Sequence, residues 1–185
     1  VTPHDLALLF FASLFGVTLN QGFFITGVSL TSPIDASVVT TTTPIITMIL
    51  AALYLKEPIT SKKVMGIFMG AVGALILILS ADAAHTGENA GGMTGNILCL
   101  MAELCFATYC VVFKDLIGRY SPVTLMKWMF TYAAICCIPF SYNGLASINF
   151  TTLPTAVYAD LAFIVFGATF LSYLLVPIGQ HRLRP

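Results

Sequence analysis

Charged side chains are scarce in this chain, because eight Lys and Arg and eight Asp and Glu make up only 9% of its 185 residues. Hydrophobic residues make up 58%, so too little polar surface is available to coat a soluble globule. The formal net charge is zero, which argues against a nucleic-acid-binding role. The composition therefore predicts a protein whose solvent is lipid.

Common catalytic and metal-binding patterns are also missing. The sequence has no phosphate-binding loop of the ATP-driven kind, and its apolar segments contain no HExxH helix, paired aspartates or Ser with His. The five cysteines form no CxxC pair, and the three histidines lie at segment ends, so a metal site is not expected. We therefore expect no enzymatic activity and no cofactor.

Long apolar segments dominate what remains. A bilayer crossing needs about 20 mostly apolar residues, because a helix satisfies its own backbone hydrogen bonds in hydrocarbon. The sequence predicts an all-α membrane protein, a polytopic helical bundle with six transmembrane helices. The predicted spans run approximately from Leu6 to Leu30, Ala36 to Leu55, Val64 to Leu79, Gly95 to Phe113, Val123 to Tyr142 and Leu161 to Ile178.

The cations predict the orientation of these spans, because Lys and Arg accumulate on the cytoplasmic side. They fall at or near alternate ends of the segments, and the remaining connections have none. The three groups are Lys56, Lys62 and Lys63, then Lys114, Arg119 and Lys127, and finally Arg182 and Arg184. We expect an integral protein of the cell membrane with both ends of the chain in the cytoplasm.

Two segments resemble each other, one beginning at Phe15 and the other at Phe166. One gap aligns Phe15 with Phe166, Gly16 with Gly167, Thr18 with Thr169, Gly27 with Gly179 and Pro33 with Pro185. The predicted topology sends the first copy outward and the second inward, which indicates an inverted repeat of the kind found in secondary transporters. We expect residues 1–80 and 95–185 to belong to the two repeats, with an external linker at 81–94.

The stretch from Gly16 to Leu77 resembles the end of an EamA domain of the drug/metabolite transporter superfamily. The features that carry the resemblance are Gly27 to Ser32, Pro44, the Lys56 and Glu57 pair, and the glycine-rich run from Gly66 to Gly73. Gly95 to Pro122 is similar to the opening helix of the second EamA domain, with Phe106 and Ala107 where many members have Trp and Ala. The resemblance implies a ten-helix protein, of which this chain would be a fragment lacking the first two and last two helices.

Glu103 is the ionisable residue nearest the centre of a predicted span. An isolated charge there costs at least ~2.5 to 3.5 kcal/mol, so the carboxyl should be neutral, paired or hydrated. Helical spacing places it on one stripe with Asn96, Cys99, Ala107 and Cys110, away from Met101, Leu104, Val111 and Val112. Glu103 either contacts substrate or carries a coupled proton, or it is a protonated residue that bonds a neighbouring helix for packing.

The run of Thr40, Thr41, Thr42, Thr43 and Pro44 lies near the middle of the second span. Pro44 cannot donate a backbone hydrogen bond and crowds the carbonyl of Thr40, so the helix should kink or open there. Freed carbonyls and hydroxyls at the midplane are groups that transporters use to bind substrates. Alternatively, the break is structural and the Thr hydroxyls satisfy its carbonyls themselves.

Asn20 lies on a face of small residues in the first span and could bond across a helix interface or face the substrate. Together with Asn96, Glu103 and the Thr–Pro run it completes the predicted substrate and proton pathway. The leading hypothesis is a secondary transporter that moves a small metabolite or drug by alternating access. Its partners would be that substrate, a coupled proton and the bilayer, with a homodimer as a possible assembly. An intramembrane enzyme or a non-transporting scaffold is the alternative.

Overall fold

The computed structural model describes residues 1–56, 60–62, 64–69, 72, 92–147 and 153–182, and all regular structure in these residues is helical. Within them, five helices are long and apolar enough to cross a membrane. They are Pro3–Leu30, Pro33–Tyr54, Met93–Val112, Pro122–Tyr142 and Thr155–Gly179. The prediction of an all-α polytopic membrane protein is confirmed.

These five helices correspond to the first, second, fourth, fifth and sixth predicted spans. The third span, Val64 to Leu79, is described only as helical residues at 64–69 and 72. Several other predicted features lie outside the described residues. These are Glu57, Lys63, nearly all of the linker with His85, Arg184 and Pro185.

The sequence starts three of the helices in the same way, with Ser or Thr followed by Pro. The hydroxyl oxygens of Thr2, Ser32 and Ser121 accept the backbone N–H three residues later, at 3.2, 3.0 and 3.3 Å. Such a cap satisfies one of the donors that a helix N-terminus leaves unpaired, and Pro fits the first turn because its missing N–H is not needed there. Local sequence thus fixes where these helices begin.

One compact unit comprises residues 14–113. It contains a π-helical segment, π1 (Leu14–Leu19), and the α-helices α2 (Asn20–Leu30), α3 (Pro33–Thr40), α4 (Thr43–Tyr54) and α5 (Met93–Val112). All four preceding elements pack against α5, which is therefore the central helix of this unit.

Two glycines allow α2 and α5 to approach closely. A Cβ atom on Gly27 would lie 2.6 Å from Cys99 Sγ and 2.9 Å from the Gly95 carbonyl oxygen. A Cβ atom on Gly95 would lie 2.8 Å from the Gly27 carbonyl oxygen. These separations are too short for any side chain, so the backbones are in direct contact. Gly27 is one of the small residues that share a helix face with Asn20 in the first span, and small residues of this kind let two membrane helices approach closely.

The buried face of α5 is wider than its polar stripe predicts. Cys99, Glu103 and Ala107 are buried and Met101 and Leu104 are exposed, as expected. Val111, which helical spacing places off that stripe, is also buried, at 3% exposed. The reason is that α2, α3 and α4 all pack on α5, so its contacts extend beyond one narrow stripe.

The other unit comprises residues 1–13 and 114–185. It contains α1 (Pro3–Ser13), α6 (Lys114–Arg119), α7 (Pro122–Ser147), α8 (Thr155–Ala162), a second π-helical segment, π2 (Phe163–Leu171), and α9 (Ser172–Arg182). Here α1 packs against α6 and α7. The buried Ser13 hydroxyl donates to the Met129 carbonyl oxygen at 2.5 Å and fixes the contact between α1 and α7.

A buried carboxylate fixes the start of α1. Asp5 is 3% exposed and accepts hydrogen bonds from Tyr120 Oη at 2.6 Å, Thr2 Oγ1 at 2.7 Å and Arg119 Nη1 at 3.1 Å. The hydrogen bond to Asp5, together with its charge and local burial, raises the pKa of Tyr120. Nothing in the sequence singles out Asp5, although the predicted topology places it on the same side as Arg119.

We expect Asp5→Asn to lower the melting temperature of the protein by several degrees, because Arg119 and Tyr120 then face a neutral acceptor. Thermal unfolding in detergent measures this change, with the fluorescence of Trp128 as the signal. Trp128 is the single tryptophan and belongs to the same compact unit as Asp5. Asp160→Asn, at an exposed position of α8, is the matched control. Equal melting temperatures for the two variants would contradict a stabilising role for the Asp5 cluster.

Candidate functional site

Glu103 lies in the middle of α5 and is 7% exposed. Its Oε2 atom is in hydrogen-bond contact with the hydroxyl of Thr43, the first residue of α4. Because α4 packs directly against α5, this contact joins the carboxyl to the second membrane span. The structure thus brings together two parts of the predicted pathway that are 60 residues apart in the sequence.

The second span is interrupted where Pro44 predicts a break. Helix α3 ends at Thr40 and α4 begins at Thr43, which places Pro44 in the first turn of α4. Between them, the N–H groups of Thr41 and Thr42 bond the carbonyls three residues earlier, at 3.1 and 2.9 Å. The α-helix is thus interrupted near Pro44 by a tight turn whose carbonyls remain bonded, and the role of this turn in binding substrate stays a prediction.

The threonine hydroxyls satisfy carbonyls at this break. Those of Thr40, Thr41, Thr42 and Thr43 each donate to the carbonyl three residues earlier, over 2.6 to 2.8 Å. The last of these bonds replaces the one that Pro44 cannot give, because in a regular helix the Thr40 carbonyl would accept from residue 44. These bonds fit the alternative interpretation of the Thr run, in which the hydroxyls satisfy the carbonyls of the break themselves. That interpretation does not include the contact between Thr43 and Glu103.

Asn20 supports the helical turn that carries Glu103. Its Nδ2 group donates to the carbonyl oxygen of Ala102 at 2.9 Å, one residue before the carboxyl. Asn96 lies elsewhere, since its Oδ1 atom accepts from the Thr31 hydroxyl at 2.6 Å. Seven residues along a helix separate it from Glu103 by ~10 Å. The structure therefore groups Asn20 and Thr43 around Glu103 and leaves Asn96 apart.

The two segments aligned as an inverted repeat share an unusual backbone. Phe15, Gly16 and Thr18 lie in π1, and their partners Phe166, Gly167 and Thr169 lie in π2. These are the π-helical segments of the part of the chain that the structure describes. Such segments are rare and often mark functional sites. Sequence reasoning missed the π-helical turns, although the repeated Phe-Gly-x-Thr pattern is the signal that marks both.

Metal coordination is not indicated within the described ranges. No group of three or more His, Cys, Asp or Glu residues there could hold a metal ion. The described residues around Glu103 offer hydroxyl, amide and carbonyl groups for hydrogen bonding, and Glu103 offers one carboxyl that could exchange a proton.

Comparison with known proteins identifies a matching family and several relatives of low sequence identity. The EamA-like transporter family model matches residues 2–79 and 93–185. The chain is 25% identical to the uncharacterized transporter YyaM of Bacillus subtilis over 86% of this chain and 52% of that protein. It is 28% identical to an uncharacterized transporter of Archaeoglobus fulgidus, over 92% and 58% of the two chains.

A plant protein is also similar over a shorter region. The protein WALLS ARE THIN 1 of Arabidopsis thaliana is 34% identical over 43% of this chain and 22% of its own length. The chain spans about half the length of the bacterial and archaeal relatives. No solved structure matched it at the significance that these relatives reach.

Proposed function

This chain belongs to the EamA-like transporter family, and on that premise we propose that it acts in a secondary active transporter. The transporter moves a small metabolite or drug across the membrane by alternating access. The observation that carries this proposal is the contact between Glu103 and the broken second span at Thr43. Ionisable groups and opened helices inside a membrane commonly form substrate and ion sites.

A count of protons supports coupling to a proton at Glu103. The Thr43 oxygen contacts both the Thr40 carbonyl oxygen and Glu103 Oε2, yet a hydroxyl has a single proton to donate. All three oxygens are satisfied if the hydroxyl donates to Thr40 and a protonated carboxyl donates to Thr43. If the carboxyl lost its proton, the Thr43 hydroxyl could donate to only one of the two acceptors, Glu103 or the Thr40 carbonyl, and the other would lose its hydrogen bond. We therefore propose that proton binding at Glu103 and the geometry of the helix break are linked.

The repeat supports the alternating-access part of the proposal. Residues 1–80 and 95–185 would be parts of two sequence repeats of opposite orientation. Each repeat carries one Phe-Gly-x-Thr segment in a π-helical turn. In transporters of this architecture, rocking of the two repeats about a shared site exposes that site to each side of the membrane in turn. With the cation-rich connections in the cytoplasm of a cell-membrane protein, the ends of this chain face the cytoplasm.

Reconstitution of the purified full-length protein that contains this chain into liposomes tests this function, because the chain spans only about half the length of its relatives and is not expected to transport alone. The liposomes are exposed to a mixture of isotope-labelled amino acids, nucleosides, sugars and cationic drugs, with and without a pH gradient, and their contents are identified by mass spectrometry. We expect at least one compound to accumulate unchanged, and to accumulate further when the gradient is imposed. Accumulation no greater than in protein-free liposomes would refute the proposal. A chemically converted compound would instead favour an intramembrane enzyme.

A further inference from the structure

The hydrogen bond from Asn20 reaches the main chain of α5 rather than one of its side chains. Asn20 Nδ2 donates to the carbonyl oxygen of Ala102 at 2.9 Å, and Ala102 is fully buried. In an α-helix this carbonyl already accepts the N–H group of residue 106, so Asn20 adds a second donor to an oxygen with two lone pairs. The bond is therefore not needed to satisfy Ala102, and its effect is to tie α2 to one turn of α5.

The peptide unit held by Asn20 is the one that carries Glu103. The carbonyl of Ala102 and the N–H and Cα of Glu103 belong to a single planar group. A donor that fixes the carbonyl oxygen of this group also fixes the direction in which the Glu103 side chain leaves the helix. Asn20 thus acts at the base of the side chain, while Thr43 contacts its carboxyl.

A second contact between α2 and α5 makes the position of this bond definite. The backbones of Gly27 and Gly95 touch, and seven residues separate Asn20 from Gly27 just as seven separate Gly95 from Ala102. The two contacts therefore lie on one face of each antiparallel helix, ~10 Å apart. The glycines set how closely the helices approach. The hydrogen bond, which tolerates a narrow range of distance and angle, fixes the rotation of α5 against α2.

Hydrogen bonds rather than charges surround Glu103 among the described elements that pack against α5. Segments π1 and α2 contain no titratable side chain, and those of α3 and α4 are Asp35 and Tyr54, at the ends of their helices away from Thr43. The other titratable residues of α5 are of types that are neutral at pH 7, namely Cys99, Cys105, Tyr109 and Cys110. The proton affinity of Glu103 therefore depends on how well its carboxyl is aligned with Thr43.

We infer that Asn20 is a positioning residue for Glu103. It acts through the main chain of α5 and holds the carboxyl in line with Thr43, where proton binding is linked to the helix break. This inference rests on the proposed transport function and adds a part to the same site. It also decides between the two roles that the sequence left open for Asn20, in favour of a bond across the helix interface.

Asn20→Leu and Asn20→Ala test the inference, because both remove the donor while one side chain is larger than asparagine and the other smaller. The sample is the full-length protein that contains this chain, in detergent. The infrared band of a protonated carboxyl that is missing from Glu103→Gln reports the pH at which half of Glu103 is protonated. We expect this midpoint to move by about one pH unit in both variants, a tenfold change in proton affinity. Asn20→Gln keeps an amide donor and should stay closer to the parental midpoint.

A double-mutant cycle with Thr43→Val shows whether Asn20 acts through the contact between Thr43 and Glu103. If it does, Asn20→Leu moves the midpoint in the parental protein and moves it no further once the Thr43 hydroxyl is gone. Equal shifts in the two backgrounds would mean that Asn20 acts independently of that contact, and would overturn the inference. Unequal shifts for Asn20→Leu and Asn20→Ala would indicate a packing role and contradict it as well.

Ser13→Ala is the matched control, since it removes another bond from a side chain of the first span to a helix carbonyl, that of Met129. It should lower the melting temperature and leave the Glu103 midpoint unchanged, because Ser13 is not bonded to the turn that carries Glu103. A midpoint shift equal to that of Asn20→Leu would mean that any loosening of the first span disturbs the carboxyl. That result would contradict a specific role for Asn20.

Transport adds a readout that a merely structural role would not change. Liposomes containing the full-length protein receive the mixture of isotope-labelled amino acids, nucleosides and sugars. Asn20→Leu should lower pH-gradient-driven uptake about tenfold, in line with the change in proton affinity, and retain exchange of internal for external compound, which needs no net proton movement. Equal losses of uptake and exchange would indicate a general structural defect and overturn the inference.

The infrared measurement also separates this inference from the transport proposal, because it needs no transported compound. A shifted midpoint in a protein that transports nothing would support the positioning role and contradict the transport function. Parental midpoints in both Asn20 variants of a protein that does transport would contradict the positioning role alone. If no band assigned to Glu103 titrates in the parent, proton exchange at Glu103 and the positioning role fail together.

Discussion

Glu103→Gln is expected to reduce pH-gradient-driven transport to the level of protein-free liposomes while the protein stays folded. Glutamine has the size of a protonated glutamate and can donate to Thr43, so the contact between α4 and α5 is kept. It cannot release a proton at any pH, so a cycle that depends on carboxyl protonation stops. Uptake into proteoliposomes, measured across a series of imposed pH gradients, gives the result.

Two comparisons make this measurement specific to Glu103. Asp160→Asn removes an exposed carboxylate from α8 and should transport like the parent. The melting temperature of Glu103→Gln should stay close to the parental value, which excludes misfolding as the cause of lost transport. Parental transport by Glu103→Gln at every pH would mean that Glu103 serves helix packing alone, the alternative left open by the sequence.

Gly27→Ala is expected to destabilise the protein by about 1 to 3 kcal/mol, the usual cost of forcing an extra group into a packed interface. The new methyl group would meet the backbone N of Cys99 at 2.9 Å as well as its sulfur, so a side-chain rotation alone cannot make room. The two helices must separate. Reversible unfolding in mixed detergent micelles measures the change in free energy.

Gly22→Ala is the matched control, because Gly22 lies in the same helix and a Cβ atom there has no neighbour within 4 Å. Alanine is the better helix former, so this variant should be more stable than the parent by up to about 1 kcal/mol. The two substitutions are chemically identical and should have opposite signs. If both stabilise the protein, the close approach of α2 and α5 is not required for folding.

The features that depend on local chemistry could be predicted from the sequence. Apolar length predicted the spans, because the hydrocarbon thickness imposes it, and Pro44 predicted the interruption, because its ring and missing N–H act on its own helix. The spacing of Cys99, Glu103 and Ala107 predicted one buried face of α5. Motifs such as Gly27 to Ser32 likewise indicated membership of the EamA-like family, which the family model confirms.

The features that depend on which helices pack against each other could not be predicted from the sequence. The pairing of Thr43 with Glu103 and of Asp5 with Arg119 joins residues 60 and 114 positions apart, and periodicity within a helix carries no information about such partners. Burial of Val111 was missed for the same reason. The π-helical turns differ from α-helix by a single residue of register, a change too small for the hydrophobic pattern to report.

The start of α4 at Thr43 has an electrostatic consequence for the carboxyl beside it. A helix carries about half a positive elementary charge at its N-terminus, from the aligned dipoles of its peptide units. Since Thr43 is the first residue of α4 and contacts Glu103, this partial charge lies next to the carboxyl. When Glu103 releases its proton, this partial charge would offset part of the cost of a carboxylate at that depth, by about 0.3 to 2 kcal/mol.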